Sequence, residues 1–223
     1  TGTGGYRVGF SELMRWAIFP AVTVLLVACV VTLLRHRRQI SRFDPRVWGF
    51  GISAALTVVG FILGAMIRGS NTMVPAHYHA AIGGVTAAFM TISYVWMPAM
   101  GLSLSGGRRG QAAVRWQPVL FGAGQLVFAV GFGWAGAHGM ARKAYGAEQA
   151  QRGLEETLGL VVMGGGGLVA AAGGMLFLGI VGAAWWRRLR VSWRPEIRGA
   201  SGGPNGRGKA KWGHTPAPET DGQ

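Results

Sequence analysis

Residues 71–84 read NTMVPAHYHAAIGG, with His77 and His79 two positions apart at the mouth of an apolar run that continues to Met100. Imidazole is a common ligand of transition metals and of haem iron. Successive residues of a helix are about 100° apart, so these two rings leave a helix about 200° apart, on opposite flanks. They cannot share one ion, as histidines at i and i+4 do. An H-x-H pair in an apolar helix suits two separate partners, one per flank, and a helix wedged between two haems fits. The bland alternative is a pair of interfacial histidines hydrogen-bonded at a helix mouth. Ionisable groups inside spans are functional by default, although these two lie near an end. A second cluster, GAHGMARKAYG at 136–146, carries the adjacent cations Arg142 and Lys143. Cations of this kind receive anionic groups such as haem propionates by charge-assisted hydrogen bonds. Their ordinary use is interfacial anchoring.

The elements that must hold these residues are written in the composition. Half of the 223 residues are apolar and 13% are charged, where a soluble domain carries about 25%. That deficit indicates a membrane protein. Five segments, roughly 14–34, 47–67, 74–100, 116–137 and 157–184, reach the ~20 apolar residues that cross a hydrocarbon core. They are expected to be helices, because irregular backbone facing lipid leaves peptide groups unsatisfied. Pro45, Pro75 and Pro118 stand at or near the starts of the second, third and fourth, while Pro20 lies inside the first and marks a kink point. The expected fold is therefore an all-α integral membrane protein, a five-helix bundle over 1–194 followed by a disordered, basic, Gly/Pro-rich tail over 195–223. Cys29 is the single cysteine, which rules out an internal disulfide. The chain opens TGTGGYR without an initiator Met, as a processed or truncated product would.

Basic residues divide unevenly between the two ends of the spans. RHRRQISRFDPR, GLSLSGGRRGQAAVR and the tail after Trp185 carry 16 Lys and Arg, and the opposite side carries 6. The positive-inside rule puts the first group, with the C-terminus, in the cytoplasm. The net charge of +14 is thus topological, and a nucleic-acid partner is not expected. On this topology the histidine pair and the Arg142–Lys143 pair lie at the same, outer side, and each strengthens the reading of the other.

At these residues the sequence resembles subunit I, the catalytic subunit, of the haem-copper oxidases. Its tenth membrane helix carries a V-A-H-F-H pattern and often an aromatic-x-Pro ending, matched here by VPAHYHA and YVWMPAMG. Its eleventh helix is followed by G-M-P-R-R, matched by GMARKAYG, and GFGISAALTVVGFILGAMIRG matches the helix before the pair. The resemblance covers roughly 10–187 and implies that the five spans correspond to helices eight to twelve of a twelve-helix bundle. It implies two haems: His77 as proximal ligand of the high-spin haem iron and His79 as an axial ligand of the low-spin haem iron. Arg142 and Lys143 would hold the propionates, with Lys a less directional donor than the usual second Arg. The implied activity is oxidation of cytochrome c or quinol with reduction of oxygen to water and conservation of a proton gradient in a bacterial inner membrane. The implied partners are the N-terminal helices of subunit I, the other oxidase subunits and membrane lipid.

Departures from the family pattern are large. Copper is expected in the full enzyme, but its three histidines belong to helices six and seven, and the second low-spin ligand belongs to helix two. His36, His138 and His214 are misplaced to substitute, and Gly69 and Ser70 stand where many cytochrome c oxidases have a His-Asp magnesium site. The chain reads as the C-terminal half of a catalytic subunit, inactive alone, either a fragment or one piece of a split chain. A nitric oxide reductase of the same superfamily is an alternative, because the discriminating residues lie on the helices not present. A cofactor-free scaffold or transporter module is another. Gln125 is expected to bond a neighbouring helix, and Thr86 and Ser93 to serve packing. MGGGGLVAAAGG at 163–174 lacks the GK[ST] ending of a phosphate loop and reads as close helix packing.

Overall fold

The computed structural model describes residues 4–41, 44–104, 106–143, 146 and 152–192. The expected tail, 195–223, lies outside the described residues. The chain runs through α1 (Gly4–Leu13), a π-helical turn (Met14–Ile18), α2 (Phe19–His36), α3 (Pro45–Ala65), α4 (Met73–Ala99), α5 (Arg108–Ala137) and α6 (Leu154–Ser192). No strand forms among the described residues beyond one isolated bridge, Asn71 with Ala141. Five helices are long and apolar enough to cross a membrane, with α1, the π turn and α2 forming the first as one continuous rod.

Local chemistry sets the helix ends. The π turn sits immediately before Pro20, where the proline lacks an N–H and its ring crowds the carbonyl four residues back. Phe19 donates instead to Met14 O, one residue further back than in an α-helix. A widened turn thus absorbs Pro20. Asp44 caps α3, accepting from the Arg46 N–H at 2.9 Å with Pro45 at the first position. The hydrogen bond from the Arg46 guanidinium holds the Asp44 carboxyl below its usual range. Helices α4 and α5 end in the same way. Gly101 (φ 73°) and Gly139 (φ 97°) adopt the left-handed region. Leu102 N then reaches Met97 O, and Met140 N reaches Ala135 O. These are Schellman endings, which satisfy carbonyls the helix leaves open.

Three boundaries differ from the sequence reading, the first being the start of the first helix, at Gly4 rather than near 14. Helix α5 begins at Arg108, not near 116, and α6 runs to Ser192. Arg108, Arg109 and Arg115 lower the local hydropathy and hide the first two turns of α5, yet arginines at a membrane surface remain helical because their long stems carry the charge to water. Pro118 is consequently inside α5 rather than at its start.

Helix α5 is central. It packs antiparallel to α4 and α6, and alongside α3, while α3 and α4 form a further antiparallel pair. Along α6, Gly159, Gly166 and Gly173 recur every seventh residue on the face toward α5, with Ala170, Ile180 and Ala184 buried between and beyond them. A Cβ at Gly166 would strike the Phe128 N–H, and one at Gly173 would strike Phe121 N. Backbone therefore touches backbone, the geometry that small residues permit between membrane helices. At the far end Arg187 donates to Ser103 O at 2.6 Å and Arg188 donates to Met100 O, tying α6 to the α4–α5 connection.

Candidate functional site

His77 and His79 lie on the second turn of α4, about 6 and 9 Å along the axis from Met73. His77 turns toward α3 and is half-buried, its Nδ1 2.7 Å from Gly60 O. A carbonyl can only accept, so Nδ1 carries a proton, and in the neutral ring the lone pair then lies on Nε2. The ring fits a notch on α3: a Cβ at Gly64 would lie 2.9 Å from Nδ1 and 3.0 Å from Cε1. His79 turns the other way, toward α5. Its ring centroid is 4.4 Å from that of Phe128 and 6.5 Å from that of Phe132, and those two phenyl rings meet edge-on at 5.7 Å. It makes no hydrogen bond to another described residue. Between them Tyr78 is 50% exposed and faces away from the bundle. The two imidazoles thus occupy opposite flanks of one helix, as the 100° step requires.

Residues 70–72 and 140–142 bring the second cluster to the same end. Thr72 N donates to Met140 O at 3.0 Å, and Arg142 N donates to Ser70 O at 3.2 Å, across the Asn71–Ala141 bridge. Asn71 Nδ2 reaches Gly136 O at 3.1 Å while its Oδ1 accepts from Met73 N. The buried Thr72 hydroxyl donates to Phe132 O at 3.1 Å. This clasp joins the start of α4 to the end of α5 and holds Arg142 and Lys143, both exposed, beside the end that carries the histidines. Lys143 has φ 62°, a conformation non-glycine residues seldom adopt. Nothing in the sequence pattern singled out Asn71 and Thr72 as the clasp; the polar pair just ahead of an apolar helix was the available signal.

The donor chemistry at His77 fits an iron ligand. Histidines that bind metal commonly donate the other ring N–H to a backbone carbonyl, which fixes the ring and its tautomer, and Gly60 O supplies that acceptor. His79 has its face supported by Phe128 and its nitrogens unclaimed. His79 is exposed beside Phe128, while His77 is half-buried against α3. Cavities of about 700 and 540 Å³ lie at the other end of the bundle, lined by residues such as Leu33 and Arg38 or Arg108 and Trp116.

A further buried polar group lies on α5. Gln117 is fully buried; its Oε1 accepts from the Tyr94 hydroxyl at 2.9 Å and its Nε2 donates to Gly173 O at 3.2 Å, so it joins α4, α5 and α6. With α5 starting at Arg108, Gln117 lies nine residues inside the helix. Gln125, expected to bond a neighbouring helix, instead has a buried Oε1 with no hydrogen-bond partner among the described residues and rests against Gly83. Thr86 and Ser93 donate to carbonyls one turn back in their own helix.

Comparisons with known proteins add a partial likeness. Over 91 residues, 40% of this chain, it is 32% identical to a protein of Aquifex aeolicus (strain VF5) described as an uncharacterized protein. The matched region spans 23% of that relative's length. No family model matches the chain, and no solved structure matches it.

Proposed function

We propose that this chain is the C-terminal part of the catalytic subunit of a respiratory haem-copper terminal oxidase, with its spans as the last five helices of a twelve-helix bundle. The observation that carries the proposal is the pair of imidazoles on opposite flanks of α4, with His77 Nδ1 bonded to Gly60 O and its Nε2 free for ligation. In this reading His77 holds the high-spin haem iron and His79 the low-spin haem iron. Arg142 and Lys143 receive the propionates at the clasped end. The haems, with the copper expected on the remainder of the enzyme, supply electron transfer and the reduction of oxygen to water. This chain's own share is positional. The Gly60–Gly64 notch orients one ring, Phe128 braces the other, and the intervening helix keeps the two sites apart.

The enzyme would sit in a bacterial inner membrane with its C-terminus in the cytoplasm, alongside other oxidase subunits, and draw electrons from cytochrome c or quinol. The test is a pyridine haemochrome assay with visible spectra on the assembled complex. His79→Ala is expected to lose the low-spin signal and retain high-spin haem. His77→Ala is expected to do the reverse and to abolish oxygen consumption. Full haem content in either variant would sink the assignment, and two haems with oxidase turnover on this chain alone would sink the half-subunit reading.

A further inference from the structure

Helix α2 covers only one thin stripe of its surface. Its half-buried residues, Phe19, Val22, Leu26, Cys29 and Leu33, recur at steps of three and four, the spacing of a single helix face. The first of them meets Phe61 of α3 edge-on at 4.7 Å. At the last of them, opposite the end that carries the histidines, lies a cavity of about 700 Å³. Leu33 and Leu34 of α2, Ile40 of the connection and Val47 of α3 give it apolar wall, and Arg37, Arg38 and Ser41 complete it.

The connection holds both arginines at this place. Gln39 N donates to His36 O at 2.9 Å, so the chain turns as soon as α2 ends. Arg37 and Arg38 are exposed, and neither has a hydrogen bond or ion pair with a described residue. Ser41 is engaged elsewhere. Neither α2 nor α3 contains an Asp or Glu within its own length. Asp44, the acidic residue of the connection, is taken by Arg46 at 2.7 Å. Two guanidiniums thus line an apolar-walled cavity, and no described carboxylate is left to meet them. Trp48, 46% exposed on the first turn of α3, marks headgroup depth, where tryptophan collects. Interfacial anchoring and the dipole of α2 account for arginines at this level, but not for a cavity that both of them line.

We infer that this cavity binds an anionic phospholipid, with Arg37 and Arg38 on its phosphodiester and the start of an acyl chain against Leu33, Leu34, Ile40 and Val47. Planar guanidinium forks match phosphate oxygens in two-point geometry, and basic pockets between membrane helices hold anionic headgroups. The inference does not depend on whether haem binds at the other end.

The test uses the full chain in nanodiscs of phosphatidylcholine doped with phosphatidylglycerol, with retained lipid read by native mass spectrometry. On the unaltered chain phosphatidylglycerol is expected to be retained well above its share of the bilayer, and less so as salt rises. Arg37→Gln with Arg38→Gln should lower that retention by about tenfold or more. Arg108→Gln with Arg109→Gln removes the same charge from the start of α5, outside the cavity, and should lower it by about threefold at most. Arg37→Lys with Arg38→Lys keeps the charge and should hold most of the retention. Equal retention of the two lipids by the unaltered chain, equal loss in both Gln pairs, or a Lys pair as deficient as its Gln counterpart would overturn the site. Displacement of the lipid by millimolar inorganic phosphate would show a free-anion site and overturn the lipid assignment.

Discussion

Residues 4–36 and residues 108–192 each supply apolar helix long enough to cross a membrane, but they meet their neighbours in opposite ways. The first span has no glycine from Phe10 to His36, and none of its apolar window is buried. Its ring contact with the bundle is the edge-on pair Phe19–Phe61 at 4.7 Å. Helices α5 and α6 are less uniformly apolar, rich in glycine, and pressed backbone to backbone along most of their shared length. Lipid tails are as apolar as leucine, so hydrophobicity alone draws no two helices together once both are in the bilayer. Close approach does, and that requires residues small enough to let the backbones meet. The most apolar span is thus the least packed, a face of Val and Leu suited to lipid or to further helices.

The largest test of this contrast compares neighbouring glycines of α6. Gly166→Leu puts a side chain into Phe128 N and Gly124 O, and with no flexible group there to yield it is expected to cost about 3 kcal/mol or more. Gly164→Leu, two residues earlier, meets nothing within 4 Å and should leave the melting temperature in detergent nearly unchanged. Similar losses in both would mean that contact with α5 does not set the two positions apart, since leucine is the better helix former at each.

Gln117→Leu comes next. It strands the Tyr94 hydroxyl, which is fully inside the bundle, and removes the donor to Gly173 O. A stranded buried polar group costs about 1–3 kcal/mol. A companion Tyr94→Phe should restore part of the loss, because it removes the group left unpaired, and a double-mutant cycle measures the coupling directly.

The smallest effect belongs to the first span. Phe19→Ala removes its aromatic contact with α3 and is expected to shift stability by about 0.5 kcal/mol or less, the ordinary range for positions outside a packed core. A loss as large as that of Gly166→Leu would show that the span is held to the bundle far more firmly than its surface indicates.

Much of this organisation is legible in the sequence, and the misses have physical causes. The five spans follow from composition, since lipid exposure demands long apolar runs. The opposed directions of His77 and His79 follow from helical pitch alone, and the structure gives each ring its own neighbouring helix, Gly60 on α3 and Phe128 on α5. The start of α5 was hidden by Arg108, Arg109 and Arg115, because hydropathy averages over charges that a long side chain can lift to the surface. The clasp of Asn71 and Thr72 with residues 136–142 was not readable, since it joins two loops about 65 residues apart through backbone groups that every sequence possesses.

The arginine ties at the end of α6 have a further consequence. A contact face that repeats every seven residues is degenerate: sliding α6 along α5 by one repeat, about 10 Å, would bring Gly166 to the place of Gly173 and Gly159 to the place of Gly166. Shape alone discriminates weakly between such settings. Arg187 and Arg188 do not repeat. Their acceptors, Ser103 O and Met100 O, belong to a connection fixed by the left-handed turn at Gly101. A slip of one repeat would carry both guanidiniums out of reach and leave those carbonyls bare. The pair acts as a detent at the end of a ratchet, so the glycines let α6 approach while two arginines choose where it stops.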